Sequence, residues 1–118
     1  MSLATTITIL IIALLHVAFL VLEMFLWDTK IGLRILGHSR ESAATTKTLA
    51  ANQGLYNGFL AAGLLWGLSL GTEGFAINVF FLCCIISAGL FGAATVSRMI
   101  FYVQALPALV ALLLLLFA

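Results

Sequence analysis

Glu23 and His16 are the residues of this chain best suited to acid–base chemistry, because each stands inside a long apolar run, residues 3–27. A carboxyl group and an imidazole in a partly desolvated setting acquire the perturbed proton affinities that general acid–base catalysis requires, so the pair is the candidate catalytic acid and base. A second group of chemically able residues, Asn52, Gln53, Tyr56 and Asn57, falls within six consecutive positions of "LAANQGLYNGFLAAGL". Amides and a phenol there would orient the polar groups of a substrate, and Arg98 and Tyr102 join them as candidate binding residues. Isomerisation or conjugation fits this set, whereas hydrolysis lacks a nucleophile. No phosphate loop, metal-finger spacing or serine elbow occurs, so no metal is assigned and no redox cofactor site is visible; the cofactor stays unknown. Cys83 and Cys84 are adjacent and read as apolar filler.

The elements that must carry these residues follow from composition. The 118 residues are 64% hydrophobic and 8% charged, with a mean hydropathy of +1.28, which marks an integral membrane protein. Apolar runs at 3–27, 48–70, 75–96 and 99–118 each suit a bilayer core that needs about 17–25 residues. The runs are continuous rather than alternating, and a helix satisfies its backbone polar groups within one segment, so the expected fold is all-α, a single membrane domain of four transmembrane helices. The first run lacks a basic start and a small-residue cleavage pattern, and is read as retained. The net charge of +1 carries no message about nucleic acid. So small a membrane unit has little interior of its own, which suggests a homo-oligomer in contact with membrane lipid.

Charge asymmetry gives an orientation. The loop 28–47 holds Lys30, Arg34, Arg40 and Lys47, while the turn 71–74 holds only Glu73, so the loop is expected in the cytoplasm and both termini outside. Within it "KIGLRILG" mixes apolar and basic residues, as either a short amphipathic surface piece or an ordinary loop. The break between the last two spans is set at Ser97, with a kink near Pro107.

Counting ~1.5 Å per residue from Trp27 and Thr48, Glu23 lies ~6 Å deep, Asn52 and Gln53 ~6–8 Å, Tyr56 and Asn57 ~12–14 Å and His16 ~17 Å. His16, Glu23 and Trp27 share one stripe about 40° wide, and the four polar residues of the second span cover a sector of roughly 140°. Five of them, His16, Glu23, Asn52, Tyr56 and Asn57, are expected on one cavity in the cytoplasmic half. Runs of small residues, such as Gly54-xxx-Gly58-xxx-Ala62 and Gly89-xxx-Ala93, allow close helix approach.

"HVAFLVLEMFLW", "LAANQGLYNGFLAAGL" and "GLFGAATVSRMIFYVQALPALVALL" together resemble the small bacterial membrane proteins grouped as domain of unknown function 1304. The resemblance covers nearly the whole chain and implies a four-span inner-membrane protein, with no activity attached. A weaker resemblance is to the trimeric membrane-associated eicosanoid and glutathione metabolism proteins, where Asn52 and the Arg98/Tyr102 pair would correspond. This chain lacks that family's glutamate in the second span and its arginine shortly before Asn52, which argues against glutathione binding.

Three functions fit. The first is an intramembrane polar pocket, open to the cytoplasmic side, that binds or converts a small lipophilic molecule. The second is a proton- or cation-coupled transporter or channel completed by oligomerisation, though the outer half of the spans lacks polar lining. The third is a structural or regulatory subunit whose amides act as interhelical glue.

Overall fold

The computed structural model describes all residues, Met1–Ala118, and it is all-α. Five α-helices follow one another: α1 (Leu3–Phe25), α2 (Lys30–Leu36), α3 (Arg40–Ser69), α4 (Phe75–Thr95) and α5 (Leu106–Phe117). A single 3₁₀ turn, Gly71–Gly74, leads into α4, and a π-turn, Phe101–Ala105, leads into α5.

Two of these helical stretches, Leu3–Phe25 and Gly71–Thr95, are long and apolar enough to cross a membrane, and Phe101–Phe117 is a shorter apolar stretch. Helix α3 has 30 residues, about 45 Å of rise, yet its own amide cluster lowers its hydropathy below that of the other two. Along α1 the exposed side chains Leu3, Ile7, Leu10, Ile11, Leu14, Val17, Val21 and Phe25 recur at helical spacing. An apolar stripe of that length exposed on one helix marks a surface for lipid or another protein.

Local sequence explains the boundaries. Thr29 caps α2, its hydroxyl accepting from the Gly32 N–H at 3.2 Å and donating to the Leu26 carbonyl at 2.8 Å. Gly37 closes α2 at φ 68°, a left-handed position that suits glycine. The sequence placed residues 28–47 in a loop; most of that loop is in fact helical. Ser39 is the reason at its second half, because its Oγ accepts from the Ser42 N–H at 3.0 Å and its carbonyl from the Ala43 N–H at 2.9 Å. That cap starts α3 eight residues before the apolar run begins at Thr48.

Pro107 explains the π-turn. Lacking an N–H, it deprives the preceding turn of one ordinary bond, and the Leu106 N–H instead reaches the Phe101 carbonyl, five residues back. The break before it is at residues 96–98, where the Val96 and Ser97 N–H groups both fold back to the Gly92 carbonyl.

The chain divides into two compact units, residues Leu14–Phe59 and residues Met1–Ala13 with Leu60–Ala118. The larger unit has an apolar core of Ile9, Ile12, Ala13, Leu64, Leu82, Ile85, Ala108 and Ala111. Small residues let its helices approach: Phe81 fills the space beside Gly63, and Gly89 lies against the backbone of Ala105. Asn78 is fully buried beside Gly67, and neither end of its amide has a hydrogen-bond partner. In the smaller unit Gly32, Ala43, Ala50, Gly54, Asn57 and His16 are the buried positions.

Candidate functional site

The polar centre of the smaller unit forms where α1 meets α3. Glu23 stands in the last turn of α1 and is half-buried. Opposite it α3 has Gly54, where a β-carbon would lie 2.6 Å from Met24 Cγ, 3.1 Å from Glu23 Cβ and 3.2 Å from the Leu20 carbonyl oxygen. The missing side chain thus lets the backbone of α3 come up against Glu23. One turn further along, on the same face, Asn57 donates its Nδ2–H to Glu23 Oε1 at 2.5 Å. Asn57 is 8% exposed, so its amide is spent on this contact rather than on solvent. Gly58 extends the fit, accepting the Leu20 side chain into its empty position.

Glu23 has no cationic partner. The chain's one ion pair joins Lys47 and Asp28, at 3.1 Å, and no other side chain bonds the second oxygen of the Glu23 carboxyl. A carboxyl group in an apolar helix, satisfied at one oxygen by an amide and open at the other, can accept a donor or exchange a proton.

His16 is fully buried on α1, with its ring edge-on to Phe19 at 5.1 Å between centroids. It precedes Glu23 by seven residues, about 10 Å of helix rise. A molecule engaging both would have to span that distance.

The remaining residues of the six-residue cluster turn outward. Asn52 and Gln53 are exposed, and Tyr56 is 62% exposed with its ring against Phe59. Asn52 and Tyr56, four apart, form one exposed polar stripe on α3. The structure therefore brings Glu23 and Asn57 into contact and sets Asn52, Gln53 and Tyr56 on the outer surface of the same helix.

Arg98 and Tyr102 belong to the larger unit. Both are exposed and line an open recess of about 330 Å³ together with Leu90, Ala93, Ala94 and Phe101. The Met99 N–H bonds Ser97 Oγ at 3.2 Å, and Gln104 Nε2 donates to the Ile85 carbonyl at 3.1 Å, fixing the π-turn that carries Tyr102.

Thr46 and His38 were not singled out by sequence, and Gly54 was named only within a run of small residues that allows close helix approach. Trp27 donates from Nε1 to Thr46 Oγ1 at 3.0 Å, and its carbonyl lies 3.2 Å from His38 Nε2, with the two rings edge to face at 4.7 Å. Next to them the Lys47 ammonium, bonded to Asp28, holds that carboxyl below its ordinary range. These contacts pin α2 and the start of α3 to the end of α1, which fixes the register that sets Asn57 against Glu23. Only the position of Gly54 three residues before Asn57 could have signalled this, as a small residue one turn from a polar one.

An all-α chain with two helical stretches long and apolar enough to cross a membrane, one of them carrying a carboxyl group that meets an amide of α3, defines the class. The chain belongs to the family described as Protein of unknown function (DUF1304), which matches residues 10–116. It is 30% identical over 114 residues to a protein of Lactococcus lactis subsp. lactis (strain IL1403) described as uncharacterized protein YpaA, a match spanning 95% of this chain and 96% of that one. No solved structure matches it.

Proposed function

We propose that the chain is a four-span protein of the bacterial inner membrane whose Glu23–Asn57 pair, with the polar stripe of α3, binds or converts a small lipophilic molecule. The spans are α1, α3, α4 with its leading turn, and the stretch from the π-turn through α5. The last has 17 residues, about 25 Å, and suits a thin or locally compressed bilayer core. The basic residues Lys30, Arg34, Arg40 and Lys47 assign the α1–α3 connection to the cytoplasm and both termini to the outside. In that frame the first turns of α3 stand in the cytoplasm, α2 lies on the membrane surface with the exposed Ile31 and Ile35 toward lipid, and Glu23 is about one helical turn below the interface.

The observation that carries the reading is the state of Glu23. An ionisable residue within a span is costly and marks a functional position by default, and this one is paired with an amide instead of a cation. Asn52, Gln53 and Tyr56 add donors and acceptors that lipid chains cannot satisfy. A molecule with an apolar body and a polar head, or a second copy of the chain closing the site, would meet them. His16, deeper on the same helix, is the second candidate for proton exchange.

One observation favours a structural reading as well: Asn57 bonds Glu23 directly, as interhelical glue would. The two are separated by mass spectrometry of small molecules extracted from protein purified out of native membranes, compared with Glu23→Gln. The amide variant keeps a polar partner for Asn57 and so keeps the glue. Loss of a retained molecule with unchanged assembly supports the site. An identical extract from both proteins would leave the structural role alone.

A further inference from the structure

The larger unit contains two ionic groups among its side chains, Glu73 and Arg98, and they lie 25 residues apart at opposite ends of α4. At helical rise that is over 30 Å, so no carboxylate of the unit can neutralise Arg98. No hydrogen bond or ion pair engages its guanidinium, which is exposed. Immediately beside it is the recess of about 330 Å³ walled by Leu90, Ala93, Ala94, Phe101 and Tyr102. The recess is a shallow groove open along one side rather than an enclosed cavity. Ala93 and Ala94 are the small residues of its lining, between the bulkier Leu90 and Phe101, and Arg98 stands in the non-helical turn 96–98 that follows α4.

A lone cation at the rim of a hydrocarbon-lined groove selects a ligand with an anionic head and an apolar tail. We propose that this recess holds an anionic phospholipid, its phosphate on the Arg98 guanidinium and part of an acyl chain along Leu90, Ala94 and Phe101. A planar guanidinium offers phosphate two parallel N–H donors, and an exposed tyrosine at the same level suits the headgroup boundary. Charge complementarity commits the groove to lipid. A free phosphate would use the arginine and leave the apolar walls to hydrocarbon, and a second copy of this chain, whose exposed Glu41 is the acidic residue that could reach Arg98, is an outcome the test distinguishes. The inference rests on the membrane reading but not on the Glu23–Asn57 site, and its readout, lipid preference, is separate from retention of the small molecule.

The test is native mass spectrometry of the full chain in detergent with equimolar phosphatidylglycerol and phosphatidylcholine of identical acyl chains. Wild type should retain phosphatidylglycerol about fivefold over phosphatidylcholine, the factor one arginine near a membrane surface supplies. R98Q should remove that preference, R98K should keep most of it, and A94F should lower retention of both lipids by filling the groove. Circular dichroism on each variant checks that helix content is kept; Ala94 and Arg98 are both exposed, so their substitution leaves the core intact. Equal retention of the two lipids by wild type would overturn the proposal, as would an undiminished preference in R98Q. So would equal protection against thermal unfolding by inorganic phosphate alone, or variants that change the oligomeric state with lipid retention unaltered.

Discussion

Removing the Asn57 amide from Glu23 should cost the chain measurable stability, and the cost should depend on Glu23 being present. The contact is a single N–H donor to a carboxyl oxygen at 2.5 Å, between a half-buried residue and one 8% exposed. Hydrogen bonds to charged groups in protein interiors are worth about 1.5–3 kcal/mol, while interhelical polar contacts in membrane hosts average ~0.6 and reach ~1.7 kcal/mol. The contact has one bond and an exposed flank, which favours the membrane scale, so a coupling of about 1–1.5 kcal/mol is expected. The perturbation is a double-mutant cycle of Asn57→Leu, Glu23→Leu and the two combined. Reversible unfolding in mixed micelles titrated with a denaturing detergent, followed by circular dichroism, gives the four free energies. Asn57→Leu alone should destabilise, because it leaves the carboxyl without its donor. In the double variant most of that loss should vanish. Additivity within the ~0.3–0.5 kcal/mol seen for independent sites would refute the reasoning, since it would mean that the two side chains do not meet in the folded protein.

Other substitutions follow from the same packing. Gly54→Ala should destabilise by about 1–2 kcal/mol despite the better helix propensity of alanine, because the new methyl group meets Met24, Glu23 and the Leu20 carbonyl; the same unfolding titration checks it. Asn78→Leu should stabilise by about 1 kcal/mol, since the buried amide has no partner to lose and leucine has nearly its shape; destabilisation in thermal melts would count against that. Asp28 should titrate below the ordinary aspartate range in carbon-detected NMR, and Lys47→Ala should bring it back up. Because its pKa is depressed in the folded chain, the contribution of this pair is present above the unfolded value near ~3.9 and is lost as pH falls through the folded value. Loosening of the α1–α2 connection, read as faster proteolysis, should therefore appear only under acid conditions.

What could be read from sequence depended on whether one residue type announced the feature. Residues 30–36, where Lys30 and Arg34 alternate with isoleucine and leucine, were open from sequence between a short amphipathic piece and an ordinary loop, and they form a helix. The turn at 71–74 and the break near Ser97 followed from the ends of apolar runs. The true start of α3 did not, because hydropathy sees where apolar residues begin and not where Ser39 supplies a cap. The π-turn before Pro107 needed knowledge of which carbonyl the proline orphans and where the next N–H reaches. At the site, helical phase put Glu23 and His16 on one stripe and grouped the four polar residues of α3, yet a sector about 140° wide does not say which edge faces α1. Gly54 decides that, since the closest approach falls where a side chain is missing, and Asn57 one turn later is the residue brought inward. Asn52 and Tyr56 are left on the outside by the same rotation.

The central claim, that the polar face of α3 beside Glu23 meets a small lipophilic molecule, is tested most directly by a photoreactive benzophenone side chain at position 56. Tyr56 is 62% exposed and lies next to Asn57, so the probe replaces a ring already pointing outward and leaves the Glu23 contact in place. Irradiation in living cells, followed by mass spectrometry of the intact purified chain, should give one dominant adduct of small-molecule mass, and that adduct should fall at least several-fold in Glu23→Gln. Adducts consisting only of bulk phospholipid, or of a second copy of the chain, at equal yield in both backgrounds would contradict the account.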